Sequence, residues 1–214
     1  MRKQFSPYPT TLVEKGFLMA SQLHAGQLRK ASIVPDIPYL SHLMEVAGMV
    51  MTCGFPETVV VAALFHDLIE DQGSETRDLI REHFGEEVLA LVEACTEPGA
   101  EGAKKGPWVK RKEAYLERIG HDTLEVLGII VPDKLQSARE QRRKVRLVGD
   151  EAWHELLKEV SDLPQKIALQ KWFHTAFVQA VKDQLYIVPH APQKVAVQAL
   201  LQELEETVAT LFPS

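Results

Sequence analysis

Within VAALFHDLIEDQG, Val61 to Gly73, one imidazole and three carboxylates fall inside six positions: His66, Asp67, Glu70 and Asp71. They directly follow an apolar run, Val61 to Phe65, of the kind that fills a core. Burying an unpaired carboxylate is costly. Helical spacing sets His66 beside Glu70 and Asp67 beside Asp71, so one helix can turn all four side chains towards one point. Three ionised carboxylates cannot share such a place without a compensating cation. A divalent metal supplies that charge. Imidazole nitrogen with carboxylate oxygen suits Mn²⁺, Fe²⁺, Zn²⁺ or Mg²⁺, and the lack of a cysteine cluster argues against a structural zinc site.

One helix cannot complete the shell, because the neighbours His66 and Asp67 need partners from elsewhere. His42 in PYLSHLMEVAG and Asp133 in EVLGIIVPDKLQ are polar residues at otherwise core-facing helical positions, and each needs a buried partner. A metal held by His42, His66, Asp67 and Asp133 satisfies all four. It also leaves positions open for water and a substrate oxygen.

The elements that must position these residues read as helices nearly throughout. A first helix runs from Thr10 or Thr11 to Gln27, and two prolines in KASIVPDIP break it. A second runs from near Tyr39 to Cys53. Pro56 then opens a third, which carries the acidic stretch. Ser74 to Phe84 and Gly85 to Thr96 read as two shorter helices. Glu97 to Pro107 is a Gly/Pro-rich loop. Trp108 to Ile119 and Thr123 to Val148 follow, with Pro132 expected to kink the second. Glu151 to Val160, Pro164 to Ile187 and Pro192 to Leu211 complete an all-α bundle. In the last of these Val195, Leu200, Leu201, Leu204, Val208 and Leu211 form an apolar face expected to pack internally. No alternating strand pattern or internal repeat stands out.

The 214 residues are ample for one core, and 45% hydrophobic with 25% charged residues is an ordinary globular balance. A net charge of −6 argues against broad nucleic-acid binding. The basic stretches Trp108 to Lys112 and Arg139 to Arg146 read as solvated helix faces. No apolar run approaches a membrane span, and MRKQFSPYPT lacks the apolar core of a secretory signal. A cytoplasmic location is expected, with Cys53 and Cys95 as buried free thiols.

Taken in order, HAGQLRK, PYLSHLMEVA, AALFHDLIED, FGEEVLALVEACTE, RKEAYLERI and VPDKLQSARE resemble the HD-domain metal-dependent phosphohydrolases. The likeness runs from Leu12 to Arg143 and is greatest to the hydrolase domain of RelA/SpoT-type (p)ppGpp enzymes and their small stand-alone relatives. It implies an all-α HD-domain helical bundle over 1–214, with C-terminal helices from about 150 packing on it. It also implies a single Mn²⁺-like metal and hydrolysis of guanosine-3′,5′-bis(diphosphate) at its 3′-pyrophosphate. Carried over by position, His42, His66, Asp67 and Asp133 are the metal ligands. Glu70 and Asp71 match the acidic pair that works on the attacking water and the leaving group. Arg29 and Lys30 match a basic pair lying against the nucleotide. Lys134 is the cation nearest to them in this role, and Ser137 stands where the family has an asparagine amide near the nucleotide. The partner implied is a small phosphorylated nucleotide, with neither nucleic acid nor membrane; the sequence does not fix the oligomeric state.

Ser137, Pro132 before Asp133, and the long Ala31 to Pro38 link depart from the family pattern. They keep two other readings open: an HD-type nucleotidase or phosphatase with another substrate, and a non-catalytic nucleotide-binding HD module. The intact Glu70 and Asp71 speak against the latter.

Overall fold

The computed structural model describes residues 11–29, 34, 36–99 and 106–212. Its helices are α1 (Thr11–Leu23), α2 (Leu40–Thr52), α3 (Glu57–Phe65), α4 (Leu68–Gln72), α5 (Thr76–Cys95), α6 (Trp108–Ile119), α7 (Leu124–Val148), α8 (Leu163–Ile187) and α9 (Pro192–Leu211). Among the described residues the only β pairing is an isolated bridge between Leu28 and Pro38, so the fold is all-α.

α3 is the hub. Every residue from Val59 to Phe65 is buried, because the helix is apolar all round and packs against α1, α2, α5 and α7. α7 is the second spine and lies against α2, α3, α5 and α9. Thr123 caps it, its side chain accepting from Val126 N. A Cβ on Gly128 would come within 2.3 Å of the Phe55 ring, so only glycine lets α7 approach this closely. α8 packs on α6 and α9.

Several boundaries differ from the sequence expectation. The third helix does not continue through His66 and Asp67: it stops at Phe65, and α4 starts at Leu68. Asp67, at φ −100° and ψ −1°, forms the joint. The i, i+4 pairing therefore holds only in part, and the break lets His66 and Asp67 face inward together. α1 ends at Leu23 rather than Gln27, and a turn lies beyond it. Gly85, at φ 87°, interrupts α5 where two helices were expected. No α-helix forms over 151–160; a 3-10 helix, Gly149–Trp153, covers only its start. α7 continues through Pro132 as one helix.

The apolar face of α9 packs internally through Leu201, Leu204, Val208 and Leu211, but Val195 is exposed and Val197 is buried in its stead. The Trp108–Lys112 face is not solvated at Lys112. Its ammonium lies 4.7 Å from the Phe173 ring centroid and 2.6 Å from the Glu97 carboxylate. Among the described residues no helix is long and apolar enough to cross a membrane.

Candidate active site

Three elements meet at one point. The first turn of α2 brings His42, the α3–α4 joint brings His66 and Asp67, and the middle of α7 brings Asp133. His42 Nε2 lies 3.3 Å from His66 Nε2 and 3.3 Å from Asp133 Oδ1. Asp67 Oδ2 lies 3.1 Å from His66 Nε2 and 3.7 Å from His42 Nε2. His42, His66 and Asp133 each place a ligand atom within 4.8 Å of the other two. Ligands at about 2.1 Å from one cation have adjacent members about 3 Å apart, so the spacing fits a metal.

The neighbours of the two imidazoles support that fit. His66 Nδ1 donates to the Ala63 carbonyl at 2.7 Å. His42 Nδ1 donates to Gln136 Oε1 at 2.7 Å. Arg29 Nη2 donates to the same Gln136 atom at 2.6 Å, which marks it as the oxygen end of the amide. Neutral rings with Nδ1 protonated carry lone pairs on Nε2. Two such lone pairs face each other among carboxylates, and only a proton or a metal ion relieves that arrangement.

Without a metal, the site holds a proton tightly. Burial would depress the His66 pKa, but the charge of Asp67 and hydrogen bonds to Asp133 and Asp67 outweigh it and raise the pKa well above the usual value. For Asp133, burial is likewise outweighed, here by Lys134 and by hydrogen bonds from His42 and His66, and its pKa falls well below the usual range. Lys134 Nζ reaches Asp133 Oδ2 at 2.5 Å, and Tyr39 donates its hydroxyl to Asp67 Oδ2.

Glu70 and Asp71 go separate ways. Glu70 Oε1 accepts from the backbone N–H of Glu97 at 2.6 Å. Burial and the charge of Asp67 push its pKa up to about 7, against that hydrogen bond. Glu97 is itself clamped by Arg111 at 2.7 Å and Lys112 at 2.6 Å. Asp71 accepts from Gln27 Nε2 at 2.6 Å. Gln27 Oε1 in turn meets Gln72 Nε2 at 2.9 Å and His24 Nδ1 at 2.8 Å.

Asp71 lines a cavity of about 290 Å³ whose walls also include Arg29, Tyr39, Ser137 and Glu140. Arg29 pairs with Glu140 at 3.0 Å and lies 3.4 Å from Ser137 Oγ. Two of the expected substrate contacts, Arg29 and Ser137, thus face this space. Lys134 differs from its expected place: it is spent on Asp133 and sits over the Tyr115 ring. Lys30 lies outside the described residues. Sequence reasoning missed Tyr39, Gln136 and Glu97. Tyr39 and Gln136 sit three residues from His42 and Asp133, a helical spacing that signals support for a ligand. Glu97 had no such signal.

An HD domain family model matches residues 17–163. The chain belongs to the HD-domain family. Among its relatives, a probable GTP pyrophosphokinase of Mycobacterium leprae is 33% identical over 146 residues, covering 66% of this chain and 17% of that protein. A guanosine-3′,5′-bis(diphosphate) 3′-pyrophosphohydrolase of Aquifex aeolicus is 26% identical over 203 residues, 91% of this chain and 27% of that protein. The HD-domain chain therefore spans well under a third of these relatives. The structure of lmo0812 from Listeria monocytogenes superposes with a TM-score of 0.64 at 28% identity, covering 81% of this chain and 99% of that one. A metazoan SpoT orthologue shares the fold, with a TM-score of 0.66 at 20% identity over 92% of this chain and 97% of its own.

Proposed function

We propose that this HD-domain protein is a metal-dependent phosphohydrolase that removes pyrophosphate from the 3′ position of guanosine-3′,5′-bis(diphosphate), with Mn²⁺ as its metal. The observation that carries the reading is the pair of Nε2 atoms 3.3 Å apart, each ring fixed as the Nδ1–H tautomer, beside Asp67 and Asp133. The pyrophosphohydrolase named among its relatives supports the substrate. Free, buried Cys53 and Cys95 suit a reducing cytoplasm, where we place the enzyme.

His42, His66, Asp67 and Asp133 would hold the cation. When bound, a divalent cation acts as a Lewis acid that acidifies water and polarises a phosphoryl oxygen. Water adds to the phosphorus next to the 3′ oxygen, the P–O3′ bond breaks, and one water proton ends on that oxygen. Glu70, with a pKa near neutrality, accepts the proton of the attacking water. Asp71, on the cavity wall, takes the leaving-group side. Arg29 meets phosphate charge there, in exchange for Glu140.

Glu140 favours a second reading. A carboxylate already paired with Arg29 weakens the pull on a highly charged ligand, which suits a substrate with less phosphate. One assay with Mn²⁺ separates them. Pyrophosphate released from guanosine-3′,5′-bis(diphosphate) supports the first reading. Orthophosphate released from a nucleoside monophosphate supports the second.

A further inference from the structure

One peptide bond beside the metal centre is held from both sides. α5 ends at Cys95, and Thr96, at φ −62° and ψ 127°, turns the chain out of the helix. Thr96 spends its own donors on that helix: its N–H meets the Val92 and Glu93 carbonyls, and its hydroxyl donates to Val92 O at 2.9 Å. The next peptide, from the Thr96 carbonyl to the Glu97 N–H, makes different bonds. Its carbonyl accepts from Arg118 Nη1 at 2.6 Å, and its N–H donates to Glu70 Oε1 at 2.6 Å. A trans peptide points its C=O and N–H in opposite directions, so Arg118 and Glu70 grip opposite sides of one rigid plane.

The Arg118 guanidinium makes little other use of its donors. Its Nε and Nη2 are buried without a hydrogen-bond partner, Asp122 Oδ1 stays 3.7 Å from Nε, and the group lies 4.8 Å from the Tyr115 ring centroid. A half-satisfied buried guanidinium is a poor device for stability. What it does make is one short, charge-assisted bond to the Thr96 carbonyl. A carbonyl bonded to a cation polarises its own amide, and the N–H becomes a stronger donor. Arg118 also completes a set from one helix: Arg111 and Lys112 of α6 hold the Glu97 carboxylate, and Arg118, in the last turn of α6, holds the peptide before it.

We infer that Arg118 is a positioning residue for the hydrolytic step: through the Thr96–Glu97 peptide it fixes Glu70 Oε1 and leaves the other carboxylate oxygen for the attacking water. This inference rests on the reading above of Glu70 as the acceptor of the water proton. Arg118 acts at second hand, since only the peptide touches Glu70.

The test compares Arg118→Met, which keeps an apolar stem for the Tyr115 ring, with Arg118→Lys, which keeps a cationic donor. With guanosine-3′,5′-bis(diphosphate) and Mn²⁺, Arg118→Met should lower kcat about tenfold, with KM moved less than twofold and Mn²⁺ affinity unchanged. Arg118→Lys should recover part of the rate. Asp122→Asn, which spares the Thr96 bond, should keep kcat within about twofold. A second readout needs no turnover: the Glu97 amide proton, followed by NMR with Mg²⁺ in place of paramagnetic Mn²⁺. Its resonance should move upfield in Arg118→Met and in Glu70→Gln, and in Arg118→Met it should exchange with solvent at least about tenfold faster. Thermal melting checks folding; should Arg118→Met not fold, Arg118→Met/Asp122→Asn, which leaves no unpaired carboxylate, and Arg118→Lys decide. An unmoved Glu97 amide, an unchanged kcat, or equal losses in kcat and Mn²⁺ affinity would overturn the inference. A Glu97 amide that responds to both substitutions in a protein releasing no pyrophosphate would leave the Arg118–Glu70 link standing and remove the hydrolase reading instead.

Discussion

Arg29 and His42 donate to the same atom: Gln136 Oε1 accepts from Arg29 Nη2 at 2.6 Å and from His42 Nδ1 at 2.7 Å. One amide oxygen thus joins the cavity to the metal centre and fixes the His42 tautomer. Gln136→Leu removes that acceptor and should weaken Mn²⁺ binding by about 10–100-fold. Gln136→Glu keeps an acceptor for both donors and should bind Mn²⁺ at least as well as the unaltered protein. Titration of metal into chelated protein checks both.

Metal uptake should depend on pH through His66. Its pKa in the metal-free protein lies well above the usual 6.5, so near pH 7 the empty site is protonated and the cation must displace that proton. Affinity should rise with pH through the neutral range and fall on acidification. Calorimetry in two buffers of different ionisation enthalpy should show proton release on Mn²⁺ binding at pH 7. Binding without proton release would contradict the assignment.

Glu97 acts through Glu70. Its carboxylate is fixed by Arg111 and Lys112, and its backbone N–H holds Glu70 at 2.6 Å. Glu97→Ala frees the chain at this point and leaves Lys112 without its carboxylate partner. We expect kcat to fall about tenfold, with Mn²⁺ affinity unchanged and KM moved less than twofold. Glu97→Gln, which still bridges to Arg111, should recover part of the rate. Equal losses in kcat and metal affinity would mean general unfolding of the site.

His174 should make the fold acid-sensitive. Its pKa drops to about 4 from 6.5 on folding. A histidine with a depressed folded pKa destabilises the native state as pH falls, because the unfolded chain takes the proton first. The loss begins near pH 6.5 and is complete below pH 4, and amounts to about 3 kcal/mol. In denaturant melts, His174→Phe should lose less stability than the unaltered protein between pH 7 and pH 4. Parallel losses in the two proteins would show that the ring is not buried neutral.

The sequence made the helical order and the convergence of His42, His66, Asp67 and Asp133 legible, because apolar periodicity and out-of-place polar residues are local signals. The break at His66–Asp67 was not legible: the apolar run and i, i+4 spacing favour a continuous helix, and tertiary contacts override them. The place of Lys134 was hidden for a related reason. Sequence proximity to Asp133 suggests a phosphate contact, whereas the backbone turns Lys134 over Tyr115 and onto Asp133 itself. Glu97 was invisible because it owes its place to Arg111 and Lys112 of α6, beyond the loop that follows it.

Hydrolysis at the paired histidines and aspartates is the chemistry on which these predictions depend. Its most direct test follows guanosine-3′,5′-bis(diphosphate) with chelated protein, before and after Mn²⁺ is restored, alongside Asp67→Ala. No product should form without metal, pyrophosphate should appear in equal amount to the substrate consumed once Mn²⁺ is present, and Asp67→Ala should release none at any metal concentration that saturates the unaltered protein. Pyrophosphate release from the chelated protein, or full activity in Asp67→Ala, would contradict it.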